Sequence, residues 1–229
     1  MSWYETAFRK EYTDLYYNRS DEAAKGEAEF ASRVMGLAEG SAILDVACGA
    51  GRHARALTEL GHHVVGIDLS SDLLAAADSV TRVRGDMRAL PFDGNFDAAT
   101  SFFTSFGYFD DDGNRATLDA VARALHAGGV HLLDFMNAAA VMAHLVPESE
   151  EEREGTVFRI TRRIENGRVL KEVETDTMRY TESVRLYLHV DLLEMLREAG
   201  LNTIATYGDF DGRDYTTDSA RCLMVARKA

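Results

Sequence analysis

Two cysteines and two prolines are all that this chain of 229 residues has of the residue types that staple or break a fold. Cys48 and Cys222 lie far apart, so neither a disulfide framework nor a structural zinc site with closely spaced thiolates is expected. The shortage of proline, with 46% hydrophobic and 28% charged residues, argues against long disordered or low-complexity tracts. No internal repeat is visible, and no apolar run is long enough to span a bilayer. The opening MSWYETAFRKEYTDLYYNRS interleaves charges with aromatics and lacks the apolar centre of a signal peptide, so a cytoplasmic protein without membrane contact is expected. Positive charge is also scarce: 25 Lys and Arg face 38 Asp and Glu, a net charge of -13. Affinity for polyanions comes mainly from Lys and Arg displacing counterions, so nucleic acid is a poor partner for this chain. Seven histidines invite a metal hypothesis, but His62 and His63 are neighbours on an extended run and point to opposite faces. No metal-ligand set emerges.

What is present is a change of hydrophobic period along the chain. From Ser2 to Leu37 the spacing of Phe8, Tyr12, Leu15 and Tyr16, then of Ala24, Ala28, Ala31, Val34 and Met35, predicts two amphipathic helices broken near residues 18–21. Then AILDVA, HHVVGIDL, TRVRGDM, FDAATSFF and GGVHLLDFM read as short apolar strands, separated by helical segments such as RHARALTEL, SSDLLAAADS and NRATLDAVARALH. Five alternations predict a mainly parallel sheet covered on both faces, with its ligand site at the carboxyl ends of the strands. After Asn137 come a short helix, AAAVMAHL, an acidic stretch, ESEEERE, expected to be a solvated loop, and two alternating runs joined by ENGR. Asn166 and Gly167 both tolerate positive φ, which makes ENGR a hairpin turn. A third run, YTESVRLYL, joins them; a helix, VDLLEMLREAG, and two strands, around LNTIATYGDF and ARCLMVARK, close the chain. The expected organisation is a core of residues 1–147 and 189–229, its N-terminal helices forming a lid, interrupted by an antiparallel insertion at 148–188. That insertion is expected to cover the site or to form a homodimer contact.

LDVACGAGRHARAL, residues 44–57, sets the functional problem. GAGRHA fits a loose G-x-G-x-x-A turn, and Asp68 ends the next strand where a ribose-binding acid belongs. A dinucleotide site and an S-adenosylmethionine site share these features. Asp45 separates them: a carboxylate beside the turn opposes a diphosphate, which seeks bare N–H groups and helix N-termini. S-adenosylmethionine has no phosphate and presents an ammonium and a sulfonium instead. Two unit charges about 4 Å apart interact by roughly 4 kcal/mol at an effective dielectric near 20, enough to decide between the two ligands. Farther on, RGDMRALPF places Asp86 and Met87 just past the third strand, where they can accept from and cover an adenine.

LDVACGAG, GIDLS, GDM and FDAATSFF, in that order, closely resemble the successive motifs of the class I S-adenosylmethionine-dependent methyltransferases. SFFTSFGYF and the insertion are similar, more loosely, to the small-molecule branch, which includes amino-sugar and glycine N-methyltransferase-like enzymes. The resemblance implies a Rossmann-like, seven-stranded, mostly parallel sheet with helices on both faces and S-adenosyl-L-methionine as cofactor. It also implies that Asp45 and Ala47, Gly49 and Gly51 approach the methionine part. Asp68 would then hold the ribose, Asp86 with Met87 contact adenine, and Phe102 lie near the methionine carbon chain, with Leu69 a further expected cofactor contact.

Methyl transfer is an in-line displacement at an activated carbon, so alignment and a dry pocket matter most and no nucleophilic side chain is required. An amine acceptor needs only to be neutral, whereas a hydroxyl gains from a placed base; the residues leave the two open. Tyr108, Asp134, Asn137 and, from the lid, Tyr17 are the residues expected to face the reacting end, opposite a small-molecule acceptor. A nicotinamide-dependent oxidoreductase and a non-catalytic cofactor-binding module are the competing readings.

Overall fold

The computed structural model of the chain describes residues 2–4, 21–77, 80–153 and 155–229. A strand in the middle of a parallel sheet is covered on both faces, so it is apolar along its length rather than alternating. AILDV meets this condition as β1 (Ala42–Val46), in which Ile43 and Leu44 are fully buried. In chain order the strands continue with β2 (His63–Asp68), β3 (Thr81–Arg84), β4 (Phe96–Ser101), β5 (Leu125–Met136), β6 (Glu148–Arg153), β7 (Thr156–Glu165), β8 (Arg168–Glu174), β9 (Arg179–Arg185), β10 (Leu201–Tyr207) and β11 (Arg221–Lys228). The helices are α1 (Asp21–Met35), α2 (Arg52–Glu59), α3 (Ser71–Ala75), α4 (Asp111–Ala124), α5 (Ala138–His144) and α6 (His189–Glu198).

Seven strands form the main sheet in the order β10-β11-β5-β4-β1-β2-β3. Every pairing from β5 to β3 is parallel, and β11 runs antiparallel to both β5 and β10. The buried residues of α1 include Ala24, Ala28, Ala31 and Met35, the stripe that an amphipathic helix turns to a core. On that face α1 and α2 pack Phe30, Ala54 and Leu57 against Ile43, Leu132 and Val225. On the opposite face α4 and α6 pack Leu118, Val121, Leu192 and Leu196 against Leu44, Leu133 and Phe135. Each such fully buried Leu, Val or Phe stabilises the fold by about 1.5–3 kcal/mol relative to an exposed one. The expected α/β sheet, covered on both faces, is thus the one observed.

The second sheet, β6-β7-β8-β9, is antiparallel throughout and occupies residues 148–185, between α5 and α6. It corrects one expectation: the ESEEERE stretch is a strand rather than a solvated loop, because Glu148 to Arg153 pair in register with Thr161 to Thr156. Exposed and half-buried positions alternate along this edge strand, where charge is tolerated and discourages pairing with another chain. The helix expected over SSDLLAAADS is also shorter, ending at Ala75. The expected first helix, with Phe8, Tyr12, Leu15, Tyr16 and Tyr17, falls outside the described residues. No helix among the described residues is long and apolar enough to cross a membrane.

Candidate active site

The carboxyl ends of β3, β2, β1 and β4, neighbours in that order across the sheet, open onto one cavity of about 350 Å³, within the range of small-molecule and cofactor sites. Its wall takes Asp86 and Met87 from the segment after β3, Asp68 and Leu69 from the end of β2, and Asp45, Ala47, Cys48 and Gly49 from β1 and its turn. Phe102, Phe103, Ser105, Tyr108 and Phe109 come from the loop after β4, and Arg52, His53 and Arg55 from the start of α2.

The turn after β1 is tight because Ala47, Gly49 and Gly51 all take positive φ, at 57°, 56° and 74°. Gly51 stands behind the wall as the first boundary residue of α2; a Cβ there would lie 3.0 Å from that of Ala77, so only glycine fits. No side chain caps α2, which leaves its first N–H groups without an intrahelical partner. Asp68 binds the turn from the next strand: its Oδ2 accepts the Gly49 N–H at 2.8 Å and its Oδ1 the Ser70 N–H at 2.8 Å. Burial raises its pKa, while those backbone donors act in the opposite sense. Burial also pushes the Cys48 thiol up, so it stays protonated and fills space instead of reacting.

Asp45 is 1% exposed. Thr100 Oγ1 donates to its Oδ1 at 3.1 Å, but its Oδ2 is buried with no hydrogen-bond partner among the described residues. Burial, followed by repulsion from Asp68, pushes its pKa from 3.8 to about 7 against the Thr100 bond, the Arg52 charge and the Ala54 amide. A buried carboxylate oxygen lacking a donor is costly, and a cation at this end of the cavity relieves that cost. At the other end Asp86 caps the short 3-10 turn Met87–Ala89, accepting the Arg88 N–H at 2.9 Å and pairing with the Arg88 guanidinium at 2.6 Å. That hydrogen bonding holds its pKa below the usual carboxylate range, and its side chain stays 29% exposed. Arg88 in turn lies 4.2 Å from the centre of the Phe109 ring.

The loop after β4 is held from two directions. Phe103 and Thr104 both adopt left-handed backbone, φ 59° and 58°, which costs an ordinary residue of order 1–2 kcal/mol. Asp134 at the end of β5 secures them: its Oδ2 accepts the Phe103 N–H at 2.6 Å, its backbone oxygen accepts the Thr104 N–H at 2.9 Å, and its Oδ1 pairs with Arg221 Nε. From the second sheet, Arg168 donates to the carbonyls of Gly107, Tyr108 and Phe109 at 3.1, 3.0 and 2.8 Å, and to Ser183 through its carbonyl and hydroxyl at 2.8 Å each. Phe102 stacks on His53, ring centres 3.9 Å apart, and His53 Nε2 lies 2.5 Å from Glu27 of α1.

The structure therefore brings Asp45, Ala47, Gly49, Asp68, Leu69, Asp86, Met87, Phe102 and Tyr108 to one cavity, with Gly51 just behind them. Asp134 and Asn137 do not line it. The side chain of Asp134 is spent on Arg221 and the Phe103 amide; Asn137 caps α5 through Ala139 and donates to the carbonyls of Thr216, Thr217 and Ser219 at 2.8–3.1 Å. Tyr17 lies outside the described residues. Arg168 and Ser105 were not singled out from the sequence. Arg168 reaches carbonyls about sixty positions away, which no local pattern signals; Ser105 sits in the SFFTSFGYF stretch, whose resemblance gave no role to that residue.

Fold and site together give a doubly covered α/β sheet with a small-molecule-sized cavity at the carboxyl ends of its parallel strands and a buried, unpartnered carboxyl oxygen on the cavity wall. Sequence comparison carries this further. The methyltransferase domain family matches residues 43–129. The glycine/sarcosine N-methyltransferase of Halorhodospira halochloris is 28% identical, the match covering 96% of this chain and 90% of that one. The dTDP-3-amino-3,4,6-trideoxy-alpha-D-glucopyranose N,N-dimethyltransferase of Streptomyces venezuelae is likewise 28% identical, covering 86% of each. Among solved structures, the CcbJ methyltransferase of Streptomyces caelestis superposes with a TM-score of 0.83 over 100% of this chain and 98% of that one, at 18% identity, a likeness of fold. Over residues 43–129 by the family match, and over most of its length by these relatives, the chain is similar to S-adenosylmethionine-dependent methyltransferases, whose methyl donor is S-adenosylmethionine.

Proposed function

We propose that the chain methylates the nitrogen of a small amine, with the cofactor lying across the strand ends from β3 to β4. The observation that carries the reading is the unpartnered Oδ2 of Asp45 at the glycine turn. It suits the ammonium of the methionine part and opposes a diphosphate. Asp86 and Met87 would then meet adenine, Asp68 and Leu69 the ribose, and Ala47 and Gly49 the methionine backbone, with Gly51 shaping the turn. Phe102, held flat by His53, would lie beside the methionine chain, and Tyr108 would face the reacting end.

When bound, the cofactor supplies a methyl carbon already activated by a positive sulfur. The chain's own residues have then to align the acceptor and exclude water. Of the cavity-lining side chains from the loop after β4, Phe102, Phe103, Ser105 and Tyr108 carry no carboxylate, while Tyr4 and Phe109 stand against Arg88 toward the Asp86 end. His53 is engaged by Glu27, and burial lowers its pKa. Such a wall suits an acceptor that attacks through its own lone pair, an amine, better than a hydroxyl that must lose a proton as it attacks. The two relatives named above act on amines, which favours the same choice. Of the two uses expected for the inserted sheet, the Arg168 contacts support cover of the site rather than a dimer contact.

The test pairs binding with turnover. Calorimetry should show S-adenosylhomocysteine binding at micromolar concentration, and mass spectrometry of a panel of amines and alcohols should find the added methyl on nitrogen. Methylation confined to oxygen would overturn the amine assignment; absence of cofactor binding would overturn the whole.

A further inference from the structure

One hydroxyl in the cavity wall has no partner among the described residues. Ser105 is 7% exposed, and its Oγ makes no hydrogen bond to any of them. A buried hydroxyl left unpaired opposes folding, so packing alone would be served as well or better by alanine. Nor is the loop free to turn Ser105 toward a partner. Immediately before it, Phe103 and Thr104 are pinned to Asp134; immediately after it, the carbonyls of residues 107–109 are pinned to Arg168.

Position in the fold indicates which part of a bound pair Ser105 meets. Asp86, Asp68 and Asp45 mark the ends of β3, β2 and β1, and β4 follows β1 in the sheet. The first part of the loop after β4, Phe102 to Ser105, thus starts from the strand end farthest from Asp86, on the side left for the acceptor, whereas Phe109 reaches back to Arg88. We infer that the Ser105 hydroxyl orients the methyl acceptor, taking a hydrogen bond from an N–H of the amine so that its lone pair faces the methyl carbon. The inference rests on the amine reading above. In the transfer the lone pair forms the new N–C bond while the C–S electron pair leaves with sulfur as a neutral thioether. The product ammonium then gives its proton to water, so Ser105 neither gains nor loses one.

Two defined probes test this without a known acceptor. S-adenosylhomocysteine lacks the methyl group, whereas sinefungin carries an amino group at that position. In calorimetry Ser105→Ala should bind S-adenosylhomocysteine within twofold of the natural protein and sinefungin at least tenfold more weakly, with Tm unchanged or raised. Equal weakening of both probes would place the hydroxyl on the part they share, and no weakening of either would leave it without a ligand contact; each overturns the inference. A natural protein that binds neither probe overturns the cofactor reading itself. O-methylation in the acceptor panel, with the sinefungin difference intact, removes only the amine as the group that Ser105 orients.

Discussion

Replacing Asp45 with asparagine should stabilise the cofactor-free protein at alkaline pH and weaken its hold on the cofactor. In the folded state the Asp45 carboxyl titrates at about 7, against an ordinary value of 3.8. Between those values the folded chain binds more protons at this site than the unfolded chain, so stability falls as pH rises through the window and levels off above about 7. The full gap corresponds to about 4 kcal/mol, of which roughly 3 kcal/mol is lost between pH 5 and pH 8. The asparagine side chain would carry an unpaired amide of its own, at about 1–3 kcal/mol, but that cost does not change with pH. The clean readout is therefore a difference of differences. In urea unfolding without ligand, the stability of Asp45→Asn relative to the natural protein should rise by roughly 3 kcal/mol from pH 5 to pH 8. Groups remote from Asp45 are the same in both proteins and cancel, while Asp68, which repels Asp45, is part of the difference being read. Calorimetry completes the test: S-adenosylmethionine affinity should climb through pH 6–7 in the natural protein and stay flat and at least tenfold weaker in the variant, the loss of about one charged hydrogen bond. Parallel stability curves for the two proteins would refute the account of Asp45 as a buried carboxyl awaiting a cation.

Other predictions follow from the same geometry. Asp68→Ala removes the acceptor for the Gly49 and Ser70 amides together with the proposed ribose ligand, and should raise the Kd for S-adenosylhomocysteine by tenfold or more; an unchanged Kd in calorimetry would contradict the role. Arg168→Ala strips three consecutive carbonyls of their donor and should cost about 2–4 kcal/mol in urea unfolding. It should lower kcat by a larger factor than it weakens S-adenosylhomocysteine, since the loop is released and the glycine turn is not, though Phe109 also lies against Arg88, and Arg168→Lys should recover only part of the loss. Asp134→Ala leaves the Arg221 guanidinium beside a buried gap and should destabilise by about 3–5 kcal/mol. If that variant unfolds like the natural protein, the loop after β4 is not anchored as described.

How much of this was legible in the sequence depends on the range of each interaction. The central strands were readable because a strand buried on both faces must be apolar throughout, and AILDV or HLLDFM satisfies that locally. β6 was not, since six residues carrying four glutamates become a strand only once β7 supplies the register. At the site, Asp45, Asp68 and Asp86 could be placed because each sits where a strand meets its loop, and in this sheet those points share one edge. The same reasoning assigned Asp134 and Asn137 to the cavity, and there it stopped short. Position at the end of β5 is a local property, whereas the direction in which each side chain is engaged is set by Arg221 and by the 215–219 loop, some eighty residues away.

That limit bears on how the site works. The strand ends that carry Asp45, Asp68 and Asp86 are built from neighbouring segments of chain and would seat a cofactor alike in many sequences. The loop after β4 is different: Asp134 and Arg221 hold its first half through the main sheet, and Arg168 holds its second half through the inserted one. Changes in the insertion therefore reach the acceptor end through three carbonyls without touching the cofactor turn. Substitutions in β8 should accordingly shift acceptor KM and kcat by larger factors than cofactor affinity, and substitutions in the β1 turn should do the reverse. A β8 variant that alters both by similar factors, with its fold intact by circular dichroism, would show that the two ends of the cavity are not held independently.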